Sequence, residues 1–190
     1  IESIQGNTLV YNQLIDNVIS ENNEGVGGWY IRQGVDKATI EGNKITITCT
    51  SGVSITPQIS QKIDFNKLHT YFIRIKYSVV KLDKYNRALH VLTATDKYGS
   101  GEQFLDISSD KTNGVLSIII SDIDLPFLII RPWSYTNDIG EQCSFEVDIY
   151  DLTKMFGAGN EPTTAEEAER IIYQLNVPDG YNAGQLINNN

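Results

Sequence analysis

The chain is poor in the residues that most often carry chemistry. Its 190 residues include two histidines, two cysteines, two tryptophans and one methionine. His69 and His90 fall in separate strand-like segments, and no Cys-x-x-Cys or His-x-x-x-His spacing occurs, which argues against a transition-metal site. No nucleophile-elbow motif is present, although a Ser-His-Asp triad, whose members need not be neighbours in sequence, stays open. Basic residues are few: 15 Lys and Arg stand against 24 Asp and Glu, a formal net charge of −9. That balance disfavours generic binding to nucleic acid or anionic lipid. No apolar run approaches the roughly 20 residues of a membrane span, so membrane insertion is not expected. No signal peptide is read, and a chain beginning at Ile1 reads as a trimmed piece. Cys49 and Cys143 occupy apolar-phase positions of alternating strands. They read as two small buried hydrophobes, or as a disulfide if their strands face each other across a core.

What is present in quantity is alternation. "KITITC" puts Ile45, Ile47 and Cys49 on one face. "TYFIRIKYSVV" groups Tyr71, Ile73, Ile75, Tyr77 and Val79 opposite Arg74, Lys76 and Ser78. "CSFEVDIYDL" turns Cys143, Phe145, Val147 and Ile149 inward. The runs Ile118–Ile120 and Phe127–Ile130 are continuously apolar, as in strands covered on both sides. Gly42, Gly52, Gly99 and Asn113-Gly114 mark turns between the runs. About nine or ten short strands with this punctuation predict an all-β jelly-roll sandwich over residues 1–151.

The last 40 residues change character. "DLTKMF" predicts one helical turn, with Gly157 at the position of a left-handed cap. "TTAEEAERIIYQL" predicts a helix. Thr163 and Thr164 precede Glu166 and Glu167 by three residues in a doubled capping-box pattern, and Ala168, Ile171, Ile172 and Leu175 form the apolar stripe. Residues 152–190 therefore read as a helical extension and a polar, turn-rich tail. The glycines of "GAGN" do not make a phosphate loop, because the following helix opens on Thr and Glu with no Lys-Ser/Thr pair. Capping and solvent-facing charge account for Glu166, Glu167 and Glu169 without an acid-base role.

The segment "DLTKMFGAGNEPTTAEEAER" resembles a stretch found in tail and baseplate structural proteins of phages and prophages of Gram-positive bacteria. There it follows the last strand of a jelly-roll domain similar to carbohydrate-binding modules. The match is nearly continuous from Asp151 to Glu167. Ala168 stands where the resembling stretch carries an aromatic residue. The opening, with Asn12, Gln13 and Leu14 ahead of Gly28 and Trp29, is similar too, as is "GYNAGQLI" near the end; residues 35–140 match only in strand rhythm. The resemblance implies a virion protein for adhesion or scaffolding, in contact with other tail or baseplate subunits, and not an enzyme. An extracellular or cell-surface location is the alternative. Fibres of this kind are often trimeric, but no heptad or collagen-like repeat supports that here, and a homo-oligomer is left open.

Sugar binding needs aromatic faces flanked by hydrogen-bonding groups. "RPWSYTND" offers Arg131, Trp133, Tyr135, Asn137 and Asp138, with Arg131, Trp133 and Tyr135 in one phase if the strand continues past Pro132. Tyr85 and Tyr98 sit in polar loops as further candidates; Trp29, behind two glycines, reads as structural. No cofactor is expected apart from a structural calcium ion, for which Asp148, Asp151, Glu21 and Glu24 are candidate ligands. The expected function is adhesion to a cell-surface glycan. The alternatives are a purely structural subunit using the helix and "FGAGNEP" for docking, and a binding domain of a surface glycan-active enzyme.

Overall fold

The computed structural model describes residues 14–22, 24–32, 34–49, 57–80, 86–100, 103–132 and 141–174, without the side chains of 103–108 and 174. Ten strands are formed there: β1 (Tyr30–Ile31), β2 (Val35–Glu41), β3 (Lys44–Cys49), β4 (Ile59–Lys62), β5 (Tyr71–Ser78), β6 (Leu89–Ala94), β7 (Gln103–Ser109), β8 (Asn113–Ile120), β9 (Phe127–Pro132) and β10 (Gln142–Asp151). They make two five-stranded sheets, β1-β4-β9-β6-β7 and β2-β3-β10-β5-β8, with every strand pair antiparallel. The protein is an all-β jelly roll with a short helical C-terminal extension, as the alternation predicts.

Alternation fixes the register. In the second sheet Ile73 stands between Ile149 and Ile118, and Ile75 between Val147 and Leu116, so these side chains line the space between the sheets. Slipping one residue would move this whole set to the outside. The first sheet supplies Ile59, Leu128, Ile130, Leu89 and Val91 from the other side. Trp29 is fully buried in the same core, which bears out its structural reading. The glycine before it is required. Gly28 has φ +149, and a Cβ there would stand 2.7 Å from the Val18 carbonyl oxygen, which accepts from Trp29 N–H.

Each sheet also carries apolar residues on its outer face, as the two continuous apolar runs imply. In the second sheet Tyr150, Phe72 and Ile119 stand side by side. They are covered by α1 (Leu152–Phe156), α2 (Ala165–Glu169) and a π-helical turn (Arg170–Gln174), which bury Leu152, Phe156, Ala168 and Ile171 against them. The capping expectation holds with an adjustment. Thr164 is the N-cap and accepts from Glu167 N–H, while the Glu167 carboxylate accepts from the N–H of Thr163. Gly157 does end α1 with positive φ, but its ψ of 147° is extended and not left-handed helical. The long helix expected from the stripe stops at Glu169. The π turn then sets Tyr173 against Phe72 and Tyr150, with its hydroxyl donating to Asp148. Leu175 lies outside the described residues.

The two cysteines are free and buried. Their strands do not face each other across the core. β3 and β10 are neighbours in one sheet, with Cys143 opposite Ile47. The contact between the thiols, with burial, pushes Cys143 far up, and it draws Cys49 below its ordinary value. Because both side chains are buried, both should resist a disulfide-exchange reagent in the native protein and react fully only in denaturant. Rapid native reaction would contradict their placement. Truncating Phe156 to Ala should cost about 3 kcal/mol of stability by removing the centre of the clasp. Urea unfolding measures it, and a change below about 0.5 kcal/mol would show the clasp does not belong to the cooperative fold.

Candidate functional site

The outer face of the first sheet carries the candidate site. Leu92, Ala94 and Ile129 are buried there as a cluster separate from the main core, with Phe127 beside them. The cover is the loop between β6 and β7. It lies so close that a Cβ on Gly99, whose φ is +69, would collide with Arg131 and Ile129. Polar groups on the sheet hold the loop backbone. Gln58 Nε2 and Ser60 Oγ donate to the Lys97 carbonyl at 2.6 and 2.9 Å, and Arg131 Nη2 donates to that of Tyr98 at 2.6 Å. Within the loop, Asp96 accepts from the N–H groups of Tyr98 and Ser100 and from the Ser100 hydroxyl.

This scaffold presents Tyr98. Its ring is 44% exposed and meets the buried Tyr30 edge-on, with centroids 5.8 Å apart. The Lys97 ammonium lies 4.6 Å from the Tyr30 centroid and 5.4 Å from that of Tyr98, and it pairs with Glu24 at 2.9 Å. The Arg32 guanidinium carbon stands 6.0 Å from the Tyr98 centroid. Gln58 is the hub of the cluster: its Oε1 accepts from Arg32 Nη1 at 3.1 Å and from Arg131 Nε at 2.8 Å. Burial and the Tyr98 hydroxyl push the Tyr30 phenol up, and Glu24 holds the Lys97 ammonium above its ordinary value. The result is a half-exposed aromatic ring bordered by hydrogen-bond donors, an arrangement that can hold a polar ring-shaped ligand.

Of the ligand residues expected from sequence, the structure brings Tyr98 and Arg131 together. Arg131 acts on the loop backbone and so supports the ring presented by Tyr98. Trp133, Tyr135, Asn137, Asp138 and Tyr85 lie outside the described residues. Sequence reasoning missed Gln58, Arg32 and Lys97. A faint signal existed in "PQISQ", where Gln58 and Ser60 share one phase and flank Ile59, yet both are fully buried.

The four carboxylates proposed for calcium do not form one site. Asp148 accepts from Tyr173 on the outer face of the second sheet. Asp151 caps α1 and meets His69 at 2.7 Å. Glu24 pairs with Lys97 in the cluster on the first sheet, and Glu21 is exposed. Among the described residues no three His, Cys, Asp or Glu side chains gather so as to hold a metal ion. Nor is a triad assembled around the His69–Asp151 pair, since the other ring nitrogen of His69 meets the Asn66 amide, not a nucleophile. An open cleft of ≈ 490 Å³ is lined by Val26, Lys62, Ile63, Asp64, Phe65, Asp124 and Pro126, without His, Cys or a hydroxyl.

The Asp96 hook has a defined pH response. Burial raises its pKa, but the hydrogen bonds from Ser100, Tyr98 and Gly99 outweigh it and hold the carboxyl below its ordinary 3.8. A depressed folded value adds stability above 3.8 and loses it as pH falls through the folded value. The Tyr98 amide and ring resonances should therefore hold steady from neutral pH down to about that point and move only below it. In Asp96→Ala they should be displaced already at neutral pH. Wild-type signals that drift between pH 7 and 5 would contradict this hook.

No family model matches the chain, and the search of curated proteins gives no match either. Solved structures do match. A family 4 carbohydrate-binding module aligns with a TM-score of 0.50 at 15% identity, covering 78% of this chain and 99% of that one. A variant of the family 29 module CBM29-2 gives 0.45 at 15% identity, covering 75% and 91%. Another, complexed with cellulohexaose, gives 0.45 at 13%, covering 74% and 89%. The chain thus has the jelly-roll fold of carbohydrate-binding modules.

Proposed function

We propose that this chain is a non-catalytic adhesion module of a phage or prophage tail that holds a host cell-surface carbohydrate. The observation that carries the proposal is the half-exposed Tyr98 ring, fixed over the outer face of the first sheet and bordered by Arg32 and Lys97. A pyranose offers an apolar face for such a ring and hydroxyls for its polar border. The jelly-roll likeness to a carbohydrate-binding module supports a holding role, and the segment Asp151–Glu167, which resembles phage tail proteins, supports the setting. Single-site affinity on so small a platform would be weak, and many copies on one virion would multiply it.

For the scaffold alternative, the helical extension buries Leu152, Phe156, Ala168 and Ile171 against Phe72 and Tyr150 of its own sheet, while Gly157 to Asn160 of the "FGAGNEP" turn stay exposed.

A glycan array with the intact chain tests the proposal. Reproducible hits are expected, weakened about tenfold or more in Tyr98→Ala, the loss of one stacked ring and its border contacts. Trp133→Ala tests the tryptophan expected from the sequence as a further contact. Melting temperatures should stay within a few degrees of wild type, because the Tyr98 ring is not core. A blank array from a chain that self-associates tightly would instead favour a structural subunit.

A further inference from the structure

We infer that the saccharide held at Tyr98 is anionic, carrying a carboxylate, sulfate or phosphate beside the ring that stacks; this rests on the carbohydrate reading above. The inference comes from a charge arrangement at odds with the rest of the chain. The protein has a net charge of −9, yet three cations, Arg32, Lys97 and Arg131, converge on one exposed tyrosine. Among the described residues two carboxylates lie near. Glu24 takes Lys97, and Asp96 is turned to the N–H and hydroxyl groups of its own loop.

Arg32 is left over. Its guanidinium is half-buried, and its hydrogen-bond partner is the neutral amide oxygen of Gln58. Among the described residues no carboxylate reaches within ion-pairing distance of it. Gln58 is the telling residue, because it is fully buried and both Arg32 and Arg131 donate to it. A glutamate there would serve both donors and cancel a charge. The amide orients both guanidinium groups and cancels none. A half-buried guanidinium that is oriented but not neutralised is a strong site for a bidentate oxyanion, and it lies beside the ring on which a sugar would stack. Hydroxyls accept from amides as well as from guanidinium groups, whereas an oxyanion adds attraction between full charges to the paired hydrogen bonds.

The test compares matched probes on the intact chain. Tetragalacturonate, its fully methyl-esterified counterpart and a sulfated galactose oligomer are titrated by calorimetry alongside a broad array of neutral and acidic glycans. Acidic glycans should bind and their neutral partners should not, with binding falling about tenfold between 50 and 500 mM NaCl. Whether uronate or sulfate probes bind better identifies the anion. Arg32→Gln should weaken the acidic ligand about tenfold, Arg32→Lys much less, and Glu24→Gln should strengthen it several-fold by removing the local negative charge. Circular dichroism of each variant checks folding, and Glu24, being exposed, carries the test even if Arg32 variants unfold. Equal binding of neutral and acidic partners, or acidic binding indifferent to both Arg32 and Glu24, overturns this inference and leaves the carbohydrate reading standing. An array blank for every class overturns both.

Discussion

Strands covered on both faces set the terms for this molecule. A jelly roll hides one face of each sheet against the other, and alternating sequence suffices for that. Here both sheets also carry apolar side chains outward: Phe72, Tyr150 and Ile119 on one, Leu92, Ala94 and Ile129 on the other. Left in water, each group would be a sticky patch along a sheet. Each therefore needs a lid of its own, and the chain supplies two of different kinds. One is the helical extension after β10. The other is the short loop between β6 and β7, which is drawn down by polar contacts to its backbone.

The two lids differ in what they leave available. The helical lid is closed by side chains: apolar burial, the Tyr173–Asp148 hydrogen bond, the Arg74–Glu169 ion pair and the Arg74 guanidinium 4.7 Å from the Tyr173 ring all hold it to the sheet. The loop lid is held instead through its carbonyls, by Gln58, Ser60 and Arg131. Fastening a loop by its backbone frees its side chains to face outward, so Tyr98 is displayed as a consequence of how the lid is pinned. A loop pinned in this way loses less freedom on binding than an untethered one, which lowers the entropy cost for the ligand proposed above.

Much of this was legible in sequence. Period-two runs mark the strands of both sheets, and the continuous apolar runs Ile118–Ile120 and Phe127–Ile130 announce outer faces that need cover. Thr164 and Glu167 announce the start of α2. The π turn was not legible, because Tyr173 lies off the apolar stripe and docks through its ring and hydroxyl. The Gln58 hub was hidden for a related reason. Its partners come from β1's end, the β6–β7 loop and β9, so they are 26 to 73 residues away. A buried amide has no local pattern; only the topology that gathers its donors makes it meaningful. Acidic residues misled in the opposite direction. Asp148, Asp151 and Glu24 look alike as oxygen ligands in a list of residues, but a hydrogen bond from a tyrosine, a helix N-terminus and a lysine claim them one by one.

The placement of charge then follows from the same topology. In an acidic protein a cationic patch gains most by sitting where nearby carboxylates are already committed, because an uncommitted one would fold over and neutralise it. Asp96 is committed to its own loop, and Glu24 to Lys97. An amide at position 58 completes the logic: it gives Arg32 and Arg131 a fixed acceptor on the sheet without itself adding a negative charge. Covering Leu92 and Ile129 and orienting Arg32 without adding a counter-charge are thus both done by one buried glutamine, whose amide nitrogen holds the lid and whose oxygen holds the cations.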